Sequence, residues 1–161
     1  MKPSDLVAEI NSILGPNAVR LGSDPDLAVT NLPTGVLPID VLLHGGVPRG
    51  RLTEFFGNAS TLKSYIGLSA IATTQANGGV CALVDSEHAF DPDWAKVLGV
   101  RVDDLLYRQP ESAEEAADLT EALIRSQVDL IVWDSVAADE IEESWVKARP
   151  LCRAIGAPLE E

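Results

Sequence analysis

A chain of 161 residues, 46% hydrophobic and 23% charged, is long enough to bury its own core and too apolar to stay disordered. Its net charge of −13 argues against a broad basic surface for nonspecific nucleic-acid binding, which leaves a local patch, a bound metal or an assembled oligomer as routes to DNA. No apolar run approaches the ~20 residues that cross a bilayer, and charges interrupt the N-terminal apolar pattern where a secretory signal would have none. Cys81 and Cys152 stand far apart without partners at metal-ligand spacing, so they read as buried or incidental thiols in a reducing, cytoplasmic setting.

In chain order, Leu6, Ile10, Ile13 and Leu14 recur at helical spacing and predict a helix over residues 4–14, ended by Gly15-Pro16. Residues 16–50 are rich in Gly, Pro and Asp, with a strand-like AVRLG at 18–22 and a short helix near PIDVLL at 38–43. RLTEFF (51–56) alternates and stops at Gly57, as a strand feeding a turn does. Residues 64–76 carry small and apolar residues at helical spacing and are closed by Asn77-Gly78-Gly79. VCALVD (80–85) has the character of a buried strand. The helix over 91–99 has Asp91 as its cap, Pro92 at its first position and Gly99 just past its end.

LLYRQ (105–109) reads as a weaker strand, and Ser112 with Glu115 as a capping box that opens a helix to about residue 126, with Ala116, Leu119 and Leu123 facing inward. VDLIVWD (128–134) is the strongest strand signal, and a last helix is expected over about 139–155, kinked or divided at Pro150. Strands alternating with helices predict one α/β domain with a largely parallel sheet, without repeats or a linker. The acidic runs Glu111–Glu121 and Asp139–Glu143 read as solvated helix faces.

In a parallel α/β sheet, ligands collect at the carboxyl ends of the strands. RLTEFF runs into GNASTLKS, made of Gly57, Asn58, Ala59, Ser60, Thr61, Leu62, Lys63 and Ser64. This is one residue away from the phosphate-cradling pattern G-x-x-x-x-G-K-[ST], with Leu62 in place of the second glycine. VCALVD ends in Asp85-Ser86-Glu87-His88, and VDLIVWD ends in Asp134-Ser135. A lysine, a serine hydroxyl and three carboxylates on one sheet edge are the parts of a magnesium-nucleotide site. Lys63 and the loop amides would hold phosphate oxygens, Ser64 and Asp134 would hold the ion, and Glu87 would position a water. Singly these residues read as helix caps and solvated loop acids, and His88 as a packing or hydrogen-bonding group.

From about Gly15 to Ala137 these same residues resemble the ATPase core of the RecA recombinase family. The resemblance rests on LPTGVLPIDVLLHGGVPRGRLTEFFG, ALVDSEHAFDPDWAKVLGVRVDDLLYRQPES and VDLIVWDSVAA, in register through loops as well as strands. It implies a RecA-like phosphate-loop NTPase fold, a mainly parallel twisted sheet flanked by helices and cut short after the strand that carries Asp134. By the same resemblance Lys63 meets the β- and γ-phosphates, Ser64 ligates magnesium, Asp134 is the Walker B carboxylate and Glu87 the catalytic glutamate.

Two departures shape the expected function. If position 62 needs left-handed backbone, a leucine there costs ~1–2 kcal/mol, so ATP is expected to bind weakly or not at all. After Asp134 the chain passes almost directly into a helix, without room for the family's first DNA-binding loop, which suggests a fragment or a sheet completed by pairing with another chain.

Three functions are compatible with these residues. The first is a RecA-like recombination or repair protein with an impaired nucleotide site, acting on branched or single-stranded DNA or on a recombinase partner, as a homodimer or larger assembly. The second is a magnesium- or manganese-dependent endonuclease for branched DNA, its ions held by Asp85, Glu87 and Asp134, with Asp91 as a further candidate. The third is a noncatalytic interaction module.

Overall fold

The computed structural model describes residues 2–58 and 60–134. The chain divides into two compact units, Met1–Thr30 and Asn31–Glu161. In the first, helix α1 (Pro3–Leu14) forms where the periodic residues predict it and stops at Gly15, whose φ is +106°. The strand expected at AVRLG does not form. The Asn11 side chain donates to the Val19 carbonyl at 2.9 Å and accepts from the Val19 amide at 2.8 Å, so it occupies both backbone groups that a neighbouring strand would take. Asp24 then caps a single tight turn at Pro25–Leu27.

The second unit opens with two very short antiparallel strands, β1 (Asn31–Leu32) and β2 (Val47–Pro48), which flank helix α2 (Leu37–Leu42). The Asp40 carboxylate ties the turn before α2, accepting from the Thr34 amide at 2.8 Å, the Thr34 hydroxyl at 2.7 Å and the Gly35 amide at 3.1 Å. Residues 51–57 belong to no strand or helix. Leu52, Phe55 and Phe56 are exposed, Phe56 at 83%. The alternation in RLTEFF was a strand pattern without a strand, because an extended segment becomes a strand only beside a hydrogen-bonding neighbour, and among the described residues none pairs with it.

Helix α3 (Lys63–Ala76) follows, then β3 (Cys81–Asp85), α4 (Pro92–Val97), β4 (Leu105–Arg108), α5 (Ala113–Arg125) and β5 (Leu130–Asp134). The three strands form a parallel sheet in the order β4-β3-β5, as the alternation of elements predicts. Every residue of the central strand β3 is buried. Its odd-numbered side chains, Cys81 and Leu83, pack with Leu68 and Ile71 of α3 and with Ala95 and Val100 beyond. Ala82 and Val84 alternate to the other face, and α5 packs against β3 there through an inner stripe that includes the buried Ala116. α3 also crosses β5 closely at Gly67, where an added Cβ would stand 2.9 Å from Val132 Cγ1.

The caps behave as the sequence suggests. Asp91 accepts from the amides of Asp93 and Trp94, and Ser112 accepts from the Glu115 amide at 3.1 Å. The reciprocal half of the second box is displaced by one residue, since Glu115 accepts from the Glu111 amide at 2.8 Å instead of from Ser112. The same Glu115 carboxylate pairs with Arg108, so this part of the acidic run binds β4 to α5, while Glu111, Glu114 and Asp118 are exposed as expected. The helix expected over 139–155 and the second acidic run lie outside the described residues.

Candidate functional site

β3 is the point at which the strand order reverses, with β4 on one side and β5 on the other. A crevice at the carboxyl end of the sheet opens at such a point. The loop after β3, the end of β5 and the start of α3 supply its groups.

At the start of α3 the loop meets the helix through a left-handed residue. Leu62 is the cap residue of the helix, with φ +66° and ψ +21°, squarely left-handed, and its side chain offers no capping hydrogen bond. The condition on which its predicted penalty depended is therefore met. Ser60 is also left-handed, at φ +61°. The Leu62 side chain is 67% exposed, so it turns outward to solvent. Lys63 closes the loop on itself, its ammonium donating to the carbonyls of Gly57 at 2.9 Å and Asn58 at 3.0 Å. The Thr61 hydroxyl donates to the same Asn58 carbonyl at 2.8 Å. The first turn of any helix leaves amides without partners inside the helix, and these attract anions. Ser64 lies exposed in that turn. Ala59 is outside the described residues.

After β3 the chain makes a five-residue loop, 86–90. Its near end is tied to β5: the Ser86 amide donates to the Asp134 carbonyl at 2.9 Å, and the Trp133 indole donates to the Ser86 hydroxyl at 2.9 Å. Its far end is tied to Asp85, whose carboxylate accepts from the Ala89 amide at 3.3 Å and the Phe90 amide at 3.1 Å. The Tyr107 hydroxyl on β4 adds a third donor at 2.9 Å, and the Gln109 amide a fourth at 3.5 Å. Burial pushes the Asp85 pKa up, but the donors from Phe90, Tyr107, Ala89 and Gln109 outweigh it and hold the carboxyl below the usual aspartate range. Burial, and then the bond to Asp85, push the Tyr107 phenol up to about 12, so it stays a donor at neutral pH.

These contacts bear on one expectation. Asp85 was grouped with the ion ligands, yet both of its oxygens are committed to the loop and to β4. It accepts from the loop and from β4, and among the described residues no group of three or more histidine, cysteine, aspartate or glutamate side chains is arranged to hold a metal.

Glu87 and Asp134 differ from it. Partial burial raises the Glu87 pKa, the charges of Asp134 and Asp85 raise it further, and the Lys63 ammonium pulls it down, so Glu87 lies within electrostatic reach of all three. Asp134 stands beside Asp85 in the sheet register, and its carboxylate makes no hydrogen bond or ion pair with a described residue. An uncommitted carboxylate and an exposed serine hydroxyl are hard oxygen donors of the kind magnesium takes. By donor type alone, Asp134 and Ser64 could serve such an ion. Sequence reading missed Tyr107, Gln109 and Trp133. Only Tyr107 carried a signal, as the polar aromatic residue in the strand LLYR beside β3. Cys81 is buried, and burial pushes its thiol up to about 11, consistent with an inert side chain.

Fold and loop together define an α/β protein of the phosphate-loop class. The family model described as the RecA N-terminal domain matches residues 4–145. The chain is 52% identical over 123 residues to Protein RecA of Leptospira meyeri, a match covering 74% of this chain and 32% of that protein. It is 49% identical over 135 residues to Protein RecA of Caldanaerobacter subterraneus, covering 82% and 40%, and 46% identical over 135 residues to that of Gloeobacter violaceus, covering 83% and 37%. The chain belongs to the RecA family. It spans well under half the length of these relatives, between 32% and 40%.

Proposed function

We propose that this chain is a RecA-type module of DNA recombination or repair whose phosphate loop is retained but weakened for nucleotide. The observation that carries the reading is Leu62 as the cap residue of α3, where it sets a side chain beside the first-turn amides that a phosphate would approach, in a sequence that otherwise keeps Lys63 and Ser64. The committed Lys63 must leave two carbonyls before it can reach a phosphate. Magnesium bound by Ser64 and Asp134 would supply positive charge beside the phosphates, and Glu87 would orient a water. Family membership points to DNA, single-stranded or branched, and to self-assembly as a homodimer or larger oligomer. With a net charge of −13, contact with DNA would fall to a local patch or to the assembly. Among the described residues no helix is long and apolar enough to cross a membrane, and a cytoplasmic site of action agrees with the unpaired Cys81.

The branched-DNA endonuclease reading gains nothing from the geometry, because Asp85, one of its three carboxylates, is spent on the loop. A calorimetric titration with magnesium-ATP of the wild type and Leu62→Gly tests the nucleotide reading. Wild-type affinity is expected to be weaker than ~100 μM and about tenfold or more tighter in Leu62→Gly. Low-micromolar binding by the wild type would overturn it.

A further inference from the structure

The loop 86–90 is fastened at two points, and the second depends on a side chain outside it. Asp85 is 2% exposed, and a buried carboxylate needs its donors. Two of them, the Ala89 and Phe90 amides, belong to the loop, while a third, the Tyr107 hydroxyl, comes from the neighbouring strand. Tyr107 pairs with Leu83 in register, so its side chain rises on the same sheet face as Leu83 and Asp85. The Tyr107 ring also meets the Phe90 ring, with centroids 4.9 Å apart. Between the two fastenings lie Glu87 and the left-handed His88, at φ +57°. A loop bent through such a residue has little of its own to hold it, and its set depends on what grips its ends.

We propose that the Tyr107 hydroxyl is a positioning group, fixing through Asp85 the loop that presents Glu87 to Lys63 and Asp134. It touches neither phosphate nor water. It orients the carboxylate that acts on the lattermost, and in this it rests on the nucleotide reading given above. Ring and hydroxyl have separable duties: the ring packs on Phe90, and the hydroxyl satisfies Asp85. Tyr107→Phe removes only the second.

The test has two arms. In the first, amide hydrogen exchange is followed by NMR in the wild type, Tyr107→Phe and Asp85→Asn. The Ala89 and Phe90 amides should exchange about tenfold faster or more in both variants, while Leu83 and Val84 in β3 keep their protection. Unchanged exchange at Ala89 and Phe90 in Tyr107→Phe overturns the proposal. In the second, ATP hydrolysis is measured in the Leu62→Gly background. Adding Tyr107→Phe should lower kcat about tenfold with KM unchanged, and should have no further effect once Glu87→Gln is present. An equal fall in kcat with or without Glu87, or a change carried by KM, overturns it, since a merely structural loss would not be erased by Glu87→Gln. Absence of hydrolysis in Leu62→Gly itself would count against the nucleotide reading, and the exchange arm, which needs no nucleotide, still decides whether Tyr107 holds the loop.

Discussion

Replacing Leu62 by glycine should stabilise the fold, and the size of the effect separates two ways in which a leucine would act on this loop. A left-handed residue with a side chain costs ~1–2 kcal/mol, and Leu62 holds that conformation at φ +66° and ψ +21°. Glycine relieves the strain but gives back ~0.5–1 kcal/mol through the greater freedom of the unfolded chain. With 67% of Leu62 exposed, little buried apolar surface is lost. The net gain expected is ~0.5–1 kcal/mol, or ~1–4 °C in midpoint for a domain of this size. Leu62→Asn, which tolerates left-handed backbone, should recover part of it. Leu62→Ala keeps the Cβ and should recover none.

Urea denaturation of the four proteins reads the series. A gain in Leu62→Ala equal to that in Leu62→Gly would refute the strain argument, and so would destabilisation by glycine. Strain present with and without nucleotide cancels from the affinity. Tighter ATP binding in Leu62→Gly therefore needs the leucine also to crowd the phosphate or to resist the loop's adjustment around it. If crowding by the isobutyl group dominates, Leu62→Ala gains affinity without gaining stability.

Other consequences follow from the site. Asp85, held below the usual aspartate range once its donors outweigh burial, contributes stability that is present above the unfolded value of ~3.9 and lost as pH falls through its folded pKa. Asp85→Asn should cost ~1–3 kcal/mol near neutrality and flatten the acid limb of a stability-pH curve measured by urea titration. Glu87 has the opposite sign. Its pKa is raised, chiefly by burial, so its charge weighs against the fold as pH rises from ~4.3 through the folded value, and Glu87→Gln should be neutral below that window and slightly stabilising above it. With its thiol pushed up to about 11 inside the core, Cys81 should resist a thiol reagent at pH 7 in the folded protein and react on unfolding, measured in a Cys152→Ser background.

What was legible in the sequence followed local rules. Apolar spacing and cap residues placed α1, α4 and α5 within a residue or two, and the apolar runs placed β3 and β5, because those signals act within a few residues. The failures share the opposite cause. RLTEFF has a strand's pattern and no described neighbour to pair with, while AVRLG lost its backbone groups to the Asn11 side chain. β1 and β2 are two residues each, too short to carry a period. At the site, Lys63, Glu87 and Asp134 were named from motifs and from the family resemblance, and the charges of Lys63 and Asp134 both act on Glu87. The bonds of Asp85 to the loop were not legible, because a carboxylate after a strand looks the same in sequence whether it faces an ion or a loop's amides. Its donors come from four and five residues ahead and from another strand, beyond any local pattern.

The central claim is that Leu62 weakens a phosphate loop whose other parts remain. Its most direct measurement is the magnesium-ATP affinity of the wild type beside Leu62→Gly and Leu62→Gly/Lys63→Ala. The account predicts binding weaker than ~100 μM in the first, about tenfold tighter or more in the second, and loss of that gain in the third. Low-micromolar binding by the wild type would contradict it, as would a Leu62→Gly protein that binds no better than its parent.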